Sequence, residues 1–428
     1  MDFRRVVVQG RQLNFADSAF AVGFAGFALF GWLGAADAKV GLWLALASIL
    51  SRLPALRAQW ISQPLFWLSA AYILFVLLRL VGDEPVDDLA RRYNIEYSQS
   101  LILLWSFPLL ALGLRHREAL IRASLVLAGF GLAVEALLNT DFGHLTEFFA
   151  HRQKFGFTYV GFGLFSAIAF QFLIFGAMTT ASSCSSLWRV LLRGVLFIVS
   201  LLMLQALLLS QSRAGWAALA AAGIVVGMVW RFARTRQEKL PQHRTIMILL
   251  LGFGAVALLV WLDIDRVTTR IAAEADVYQD VLSFDRDKIP LTSVGRRAHM
   301  WLYASDLIKE RPWLGWGIGS SHSLLDRDAD LERHPHFHNT YIQILVEQGI
   351  VGLTFYGAAI GLLLAGFVQA YQTGRLPFAT MLLLSGCWTS VLVWSLAGTR
   401  IVHADEHFVL LLLGAITLSY SLGGRKDQ

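Results

Sequence analysis

Runs of apolar residues, each close to the length needed to cross the hydrocarbon core of a bilayer, constrain this chain more than any other feature. About 20 residues of helix span that core, and blocks of this kind fall at 18–36, 40–50, 64–80, 101–114, 124–138, 160–178, 190–209, 214–230, 246–262, 349–368, 377–396 and 407–422. The block at 40–50 is the shortest. Within lipid every backbone polar group must be satisfied inside the protein, so such blocks are expected as helices. Composition agrees: charged residues make up 15% of the chain, against roughly 25% in soluble domains. The expected fold is an all-α polytopic membrane protein with about twelve transmembrane helices. The first block follows Arg4, Arg5 and Arg11 and has no small-residue cleavage site behind it, so it is read as a span and not a signal peptide.

The basic residues set the expected orientation. With the N-terminus in the cytoplasm, the inside segments carry Arg52, Arg57, Arg115, Arg117, Arg122, Arg189, Arg193, Arg231, Arg234, Arg236, Lys239, Arg244 and Arg375, besides the termini. The short outside segments hold far fewer, among them Lys39, Arg91, Arg92, Arg152, Lys154, Arg213 and Arg400. That asymmetry is the positive-inside rule counted over short loops. The formal charge of +6 is therefore an insertion signal, and with no aromatic-interleaved basic patch it gives no reason to expect nucleic acid. Cys184 and Cys387 are too few and too apolar in setting for a disulfide framework or a thiolate metal site.

This pattern divides the chain into transmembrane helices 1–9 (residues 1–263), an external loop (264–337) and helices 10–12 (338–428). The loop between helices 9 and 10 is long enough to be functional. It is expected to be partly helical, with one apolar side from Arg296 to Lys309 formed by Met300, Trp301, Leu302, Ala304 and Ile308. After it come Pro312 and a Gly/Trp run, Gly315-Trp316-Gly317-Ile318-Gly319. The loop closes on His334-Pro335-His336-Phe337-His338-Asn339, and after nine intervening residues Gly349-Ile350-Val351-Gly352 opens a membrane helix. A helix from Asn339 would carry Gln343 and Glu347 on one side, a polar face expected to line protein or a wet cavity, with His338 at the external mouth of such a cavity. Gly349 and Gly352 would allow close helix approach or a break in the backbone. On the same side, Ser210-Gln211-Ser212-Arg213-Ala214-Gly215-Trp216 joins two spans with almost no loop, which holds Arg213 near the outer interface. Arg296 and Arg297 lie near the start of the loop helix. Guanidinium forks fit phosphate oxygens better than lysine does. With the histidine, these arginines suggest a site for a diphosphate lipid and a reacting hydroxyl.

Three of these segments resemble a known family. His338-Asn339 with Gly349-x-x-Gly352 resembles the signature of bacterial O-antigen ligases, in the superfamily that also holds O-antigen polymerases. Ser210 to Trp216 is similar to that family's Ser-x-Ser-Arg segment. Arg297, Trp301, Pro312 and the run at 315–319 resemble its periplasmic-loop signature. The resemblance covers roughly 205–360. It implies a glycosyltransferase of lipopolysaccharide biosynthesis in the inner membrane of a Gram-negative bacterium, its active site facing the periplasm. Such an enzyme moves O-antigen polysaccharide from an undecaprenyl-diphosphate-linked donor to a sugar hydroxyl of a lipid A–core acceptor. On that reading His338 is the general base and Arg213 with Arg297 or Arg296 clamps the diphosphate; Asn339, Gly349 and Gly352 are supporting. Spacing to Trp301 points to Arg297 and adjacency to Gly295 points to Arg296. No cofactor or metal is required, and the transfer would invert the anomeric centre.

Three rival readings stand beside this one. A polymerase would use the same donor with a second lipid-linked glycan as acceptor. A twelve-helix secondary transporter would be expected to show a two-fold repeat, which the hydropathy lacks. A metal site could use His334, His336 and His338, which share a side if the stretch is extended.

Overall fold

A computed structural model describes residues 6–8, 11–13, 15–33, 35–83, 87–179, 186–237, 261, 263–272, 277–282, 286–332, 334–399 and 404–422. The chain is a polytopic membrane protein built almost wholly of helix. Among the described residues, the one addition to the expected all-helical architecture is a short antiparallel hairpin, β1 Val6–Val8 with β2 Arg11–Leu13. The helices are α1 Phe15–Phe30, α2 Ala35–Leu50, α3 Arg57–Ile61, α4 Pro64–Gly82, α5 Asp88–Leu104, α6 Phe107–Leu114, α7 Glu118–Leu138, α8 Leu145–Ala150, α9 Tyr159–Thr179, α10 Ser186–Leu209 and α11 Arg213–Gln237. After these come α12 Ile264–Ala272, α13 Val277–Leu282, α14 Ser293–Glu310, α15 Ser321–Leu325, α16 Thr340–Gln372, α17 Phe378–Trp394 and α18 Ala404–Ser421.

Among the described residues seven helical segments are long and apolar enough to cross a membrane, with α5 and α6 forming one of them, Asp88–Leu114. Four shorter apolar helices, Phe15–Phe30, Ala38–Leu50, Phe378–Trp394 and His407–Ser421, match further expected spans. The expected span at 246–262 and Cys184 lie outside the described residues, apart from Trp261. The outer surface of the bundle is apolar, as lipid contact requires: Val81 is 87% exposed at the end of α4 and Trp188 69% exposed on α10.

One helix begins well before the apolar block that predicts it. The sequence places residues 87–100 in an outside loop, because they are largely polar. They form the first half of α5 instead, started by Asp87, whose side chain accepts from the Ala90 N–H at 2.7 Å. The polar residues on its inner face are matched locally, with Ser98 Oγ donating to Asn94 Oδ1 at 3.1 Å. Hydropathy misses this half because a buried, satisfied polar face reads as water-facing.

Helices α1, α2, α6, α7 and α18 pack together, and α7, α9, α10, α11 and α17 form the neighbouring group. Helix α16 lies against α4 and α18. At the end of the bundle formed by the starts of α1 and α7, Asp17 pairs with Arg52 and Arg117, and Tyr420 bonds Glu118. The segments expected to share the cytoplasmic face therefore meet at one end. The opposite end is covered by α14 and α15, which rest on α16, with α15 also on α5. This cap has its own apolar cluster, Met300, Ala304, Leu307, Leu324, Leu325 and Phe337, and Val346 of α16 inserts into it.

Candidate functional site

The capped end gathers the sequence-predicted residues, and a broken helix holds it together. Helix α16 starts at Asn339, whose side chain accepts from the Tyr341 and Ile342 N–H groups at 3.0 and 3.2 Å. After nine intervening residues Gly349 leaves helical geometry, with φ 65° and ψ −164°. Such a break strands the carbonyls before it and the N–H groups after it, which is costly away from water. The Gly/Trp run resolves this. Trp316 and Gly317 donate their N–H groups to the Val346 and Glu347 carbonyls at 2.8 and 3.0 Å, while Ile350 and Val351 donate to the Pro312 and Trp313 carbonyls at 2.9 and 3.2 Å. The approach is so close that a Cβ on Gly349 would lie 2.2 Å from the Trp313 oxygen. Gly315, Gly317 and Gly319 all take positive φ (67°, 109° and 81°), as this strip of turns requires. Gly352 serves another purpose, leaving room for Gln348, which accepts from the Tyr72 hydroxyl at 2.9 Å.

His338 immediately precedes the cap, in left-handed backbone at φ 51°. Its neighbours are the rings of His336, 4.3 Å away between centroids, and of His334 at 6.1 Å, both edge to face. Among the described residues no group of three or more His, Cys, Asp or Glu is placed to hold a metal ion. Burial, the Arg297 guanidinium and His334 together push the His338 imidazole down to about 3. His334 is lowered too, by burial and then by Arg296. The Arg297 charge thus acts on His338 and the Arg296 charge on His334.

Both Arg297 and Arg213 stand at positive helix ends. Thr292 caps α14 by accepting from the Gly295 N–H at 3.2 Å, which places Arg296 and Arg297 at the end of its first turn. A Cβ on Gly295 would collide with the Pro290 carbonyl at 1.8 Å, so this entry turn requires glycine. Arg213 is the first residue of α11, where Ser212 Oγ accepts from the Gly215 N–H at 3.2 Å. That turn is pressed onto α9, and a Cβ on Gly163 would meet Ser212 Oγ at 2.4 Å. None of α11, α14 and α16 has an acidic residue in its first turn. A cation at a helix N-terminus opposes the macrodipole by about 0.3–1 kcal/mol. With no acid in its first turn, each of these two helix ends is suited to an anion. The end of α17 links the parts: Ser395 and Leu396 carbonyls accept from Thr340 N–H and Asn339 Nδ2 at 2.9 and 3.1 Å, and Trp394 Nε1 donates to the Val160 carbonyl at 2.9 Å, on the same helix as Gly163.

Of the two surroundings expected for the polar face of this half-helix, the structure has protein and not a wet cavity: Gln343 and Glu347 are each 1% exposed. Gln343 Nε2 donates to Ser321 Oγ and to Glu347 Oε1, both at 2.6 Å, and its Oε1 accepts from the Phe337 N–H at 3.1 Å. The half-helix entering the membrane is polar on one face because the cap needs partners there. The sequence reading also passes over Arg79, buried at the end of α4, whose Nε meets the Asp83 carboxylate at 2.7 Å while its Nη1 bonds the Leu314 carbonyl. An Arg four residues before an Asp at the end of an apolar block was the available signal.

Fold and site together define a multi-pass membrane protein with one capped, cation-rich end. The family model described as O-antigen ligase matches residues 198–357, a stretch that contains Arg213, Arg297, His338 and the broken helix. Over that segment the chain is similar to the O-antigen ligase family, which supports a membrane protein of ligase or polymerase type. No curated protein matches the chain.

Proposed function

We propose that this protein is an O-antigen ligase of the Gram-negative inner membrane, working at the periplasmic face. Its donor is undecaprenyl-diphosphate-linked O-antigen, and its acceptor is a sugar hydroxyl of lipid A–core. The observation that carries the reading is the buried His338 beside the Asn339 cap, with the Arg297 guanidinium of the first turns of α14 near enough to depress its imidazole, within the matched segment. In this scheme residues 264–337 form the periplasmic loop between the two sets of spans.

In the reaction, the acceptor oxygen attacks the anomeric carbon as the glycosidic bond to the diphosphate breaks. Undecaprenyl diphosphate leaves with the bonding electron pair, and the acceptor proton passes to the His338 imidazole. Attack opposite the leaving group inverts the anomeric centre. Arg297 and Arg213 stabilise the charge that grows on the leaving diphosphate, which a cation does best where water is excluded. The imidazole is neutral at neutral pH and so is free to accept a proton. A dianionic donor on Arg297 offsets the guanidinium and raises the imidazole toward working pH, so the base strengthens once donor is bound.

The lipopolysaccharide of a deletion strain tests the assignment. Ligase predicts lipid A–core bare of polymer, with long lipid-linked chains accumulating. Core carrying a single repeat unit would assign the chain as polymerase instead.

A further inference from the structure

The residue before the proposed base is held with unusual completeness. Phe337 is fully buried in the cap's apolar cluster. Its N–H donates to Gln343 Oε1 at 3.1 Å, and its carbonyl accepts from Trp301 Nε1 at 3.0 Å. Gln343 has only one way to do this. Its amide nitrogen is engaged by Ser321 Oγ and Glu347 Oε1, which forces the amide oxygen toward Phe337. On the far side of His338, the Asn339 side chain and the Leu396 carbonyl fix the next residue. His338 itself is in left-handed backbone, a conformation that costs a non-glycine residue about 1–3 kcal/mol and persists only where its surroundings over-determine it.

We infer that Trp301 and Gln343 are positioning residues that clamp the Phe337 peptide and thereby aim the His338 imidazole at the acceptor hydroxyl. This rests on the reading of His338 as the base. Trp301 stands one helical turn after Arg297 on α14, so a single helix presents a diphosphate-facing cation and the peg that orients the base. The spacing of the two residues is thereby explained: donor charge and base position are set by one rigid element. Proton transfer depends on geometry this steeply, since displacement by about 1 Å costs on the order of a hundredfold in rate.

The same cap supplies a matched control. Trp316 Nε1 donates to the Leu307 carbonyl at 2.9 Å, a bond of the same kind that does not hold the residues flanking His338. Trp301→Phe and Trp316→Phe each remove one indole N–H and keep an aromatic ring. They are compared in nanodiscs by single-turnover transfer from lipid-linked donor, donor affinity and melting temperature, in the parent and in His338→Ala. Trp301→Phe is expected to lose about tenfold to a hundredfold in turnover with donor affinity unchanged. It should cause no further loss in His338→Ala, because a positioning residue has nothing left to position. Trp316→Phe should keep parental turnover whatever it does to melting. The inference is overturned if Trp301→Phe turns over like the parent, if its rate loss follows donor affinity, or if the loss adds in full to that of His338→Ala. Those results leave the base assignment standing. Normal turnover by His338→Ala itself would remove the base assignment, and this inference with it.

Discussion

The base and the clamp are separable one side chain at a time. His338→Ala is expected to lose about 10² to 10⁴ in turnover while donor affinity stays near parental, because a general base acts mainly in the transition state. Arg213→Ala should weaken both, since a diphosphate is charged before it leaves and gains charge as it does so. Arg213→Lys should recover only part of the loss, a point charge being no substitute for a planar fork. Donor binding and single-turnover rates check the set, and a donor-binding defect confined to His338→Ala would reverse the two roles. The histidine also carries a pH signature. Its folded value of about 3 lies below the ordinary 6.5, so between those limits the unfolded chain binds a proton that the folded chain does not. The neutral imidazole's contribution to stability is whole above pH 6.5 and is lost as pH falls through about 3. His338→Asn, which tolerates left-handed backbone, should flatten the decline in melting temperature across that window. A decline unchanged by the substitution would show that other groups cause it. Since the mechanism neutralises the diphosphate with arginines, transfer should persist in EDTA; loss restored by one divalent ion would move the chemistry to a metal.

At the level of elements, the site depends on how one helix is broken and mended. Gly349→Ala places a methyl group against the Trp313 carbonyl in backbone that alanine resists, and a loss of about 1–3 kcal/mol or more is expected. Gly357→Ala, on the same helix with nothing within 4 Å of the new methyl, should be neutral or slightly stabilising. Equal melting temperatures for the two would mean that the break at 349 is not needed. The sequence made this element partly legible. A His-Asn pair, nine residues and a Gly-x-x-Gly mark a capped half-helix and its end, because capping and positive φ are local demands with local residue preferences. The partner strip at Pro312–Gly317 was visible as glycines suited to turns, but its pairing with α16 was not. Backbone hydrogen bonds between distant segments leave little trace in residue type. For the same reason the surroundings of Gln343 and Glu347 stay open between cavity and protein: one sequence shows a polar face without showing whether water or a buried serine meets it. Arg296 and Arg297 could not be told apart by spacing alone; in the fold Arg297 is the less exposed of the two and its charge acts on His338.

Across the whole molecule, hydropathy located the spans because lipid imposes one rule on every residue at a given depth, and that rule fails only where protein replaces lipid. It fails at 87–100, where the polar inner face of α5 is buried, and it cannot tell which end of the bundle faces which compartment. Only the count of basic residues in short loops addresses that, and the proposed periplasmic position of the capped end rests on it. The ion pairs of Asp17 with Arg52 and Arg117 agree to the extent that segments counted as cytoplasmic do meet at one end. Single-cysteine labelling with a membrane-impermeant reagent on intact spheroplasts supplies the test. The starting chain would lack Cys184, while Cys387 is fully buried and can stay. Probes are best placed at exposed cap positions such as Ser305, Glu310 and Asp330, and at exposed Arg231 on the other side. Cap positions should label without permeabilisation, and position 231 only after it. Labelling of Arg231→Cys in intact spheroplasts, with the cap positions silent, would invert the topology. A lipid-linked polymer assembled outside the cytoplasm could then no longer reach His338, and the proposed transfer would fall even with the site's geometry unchanged.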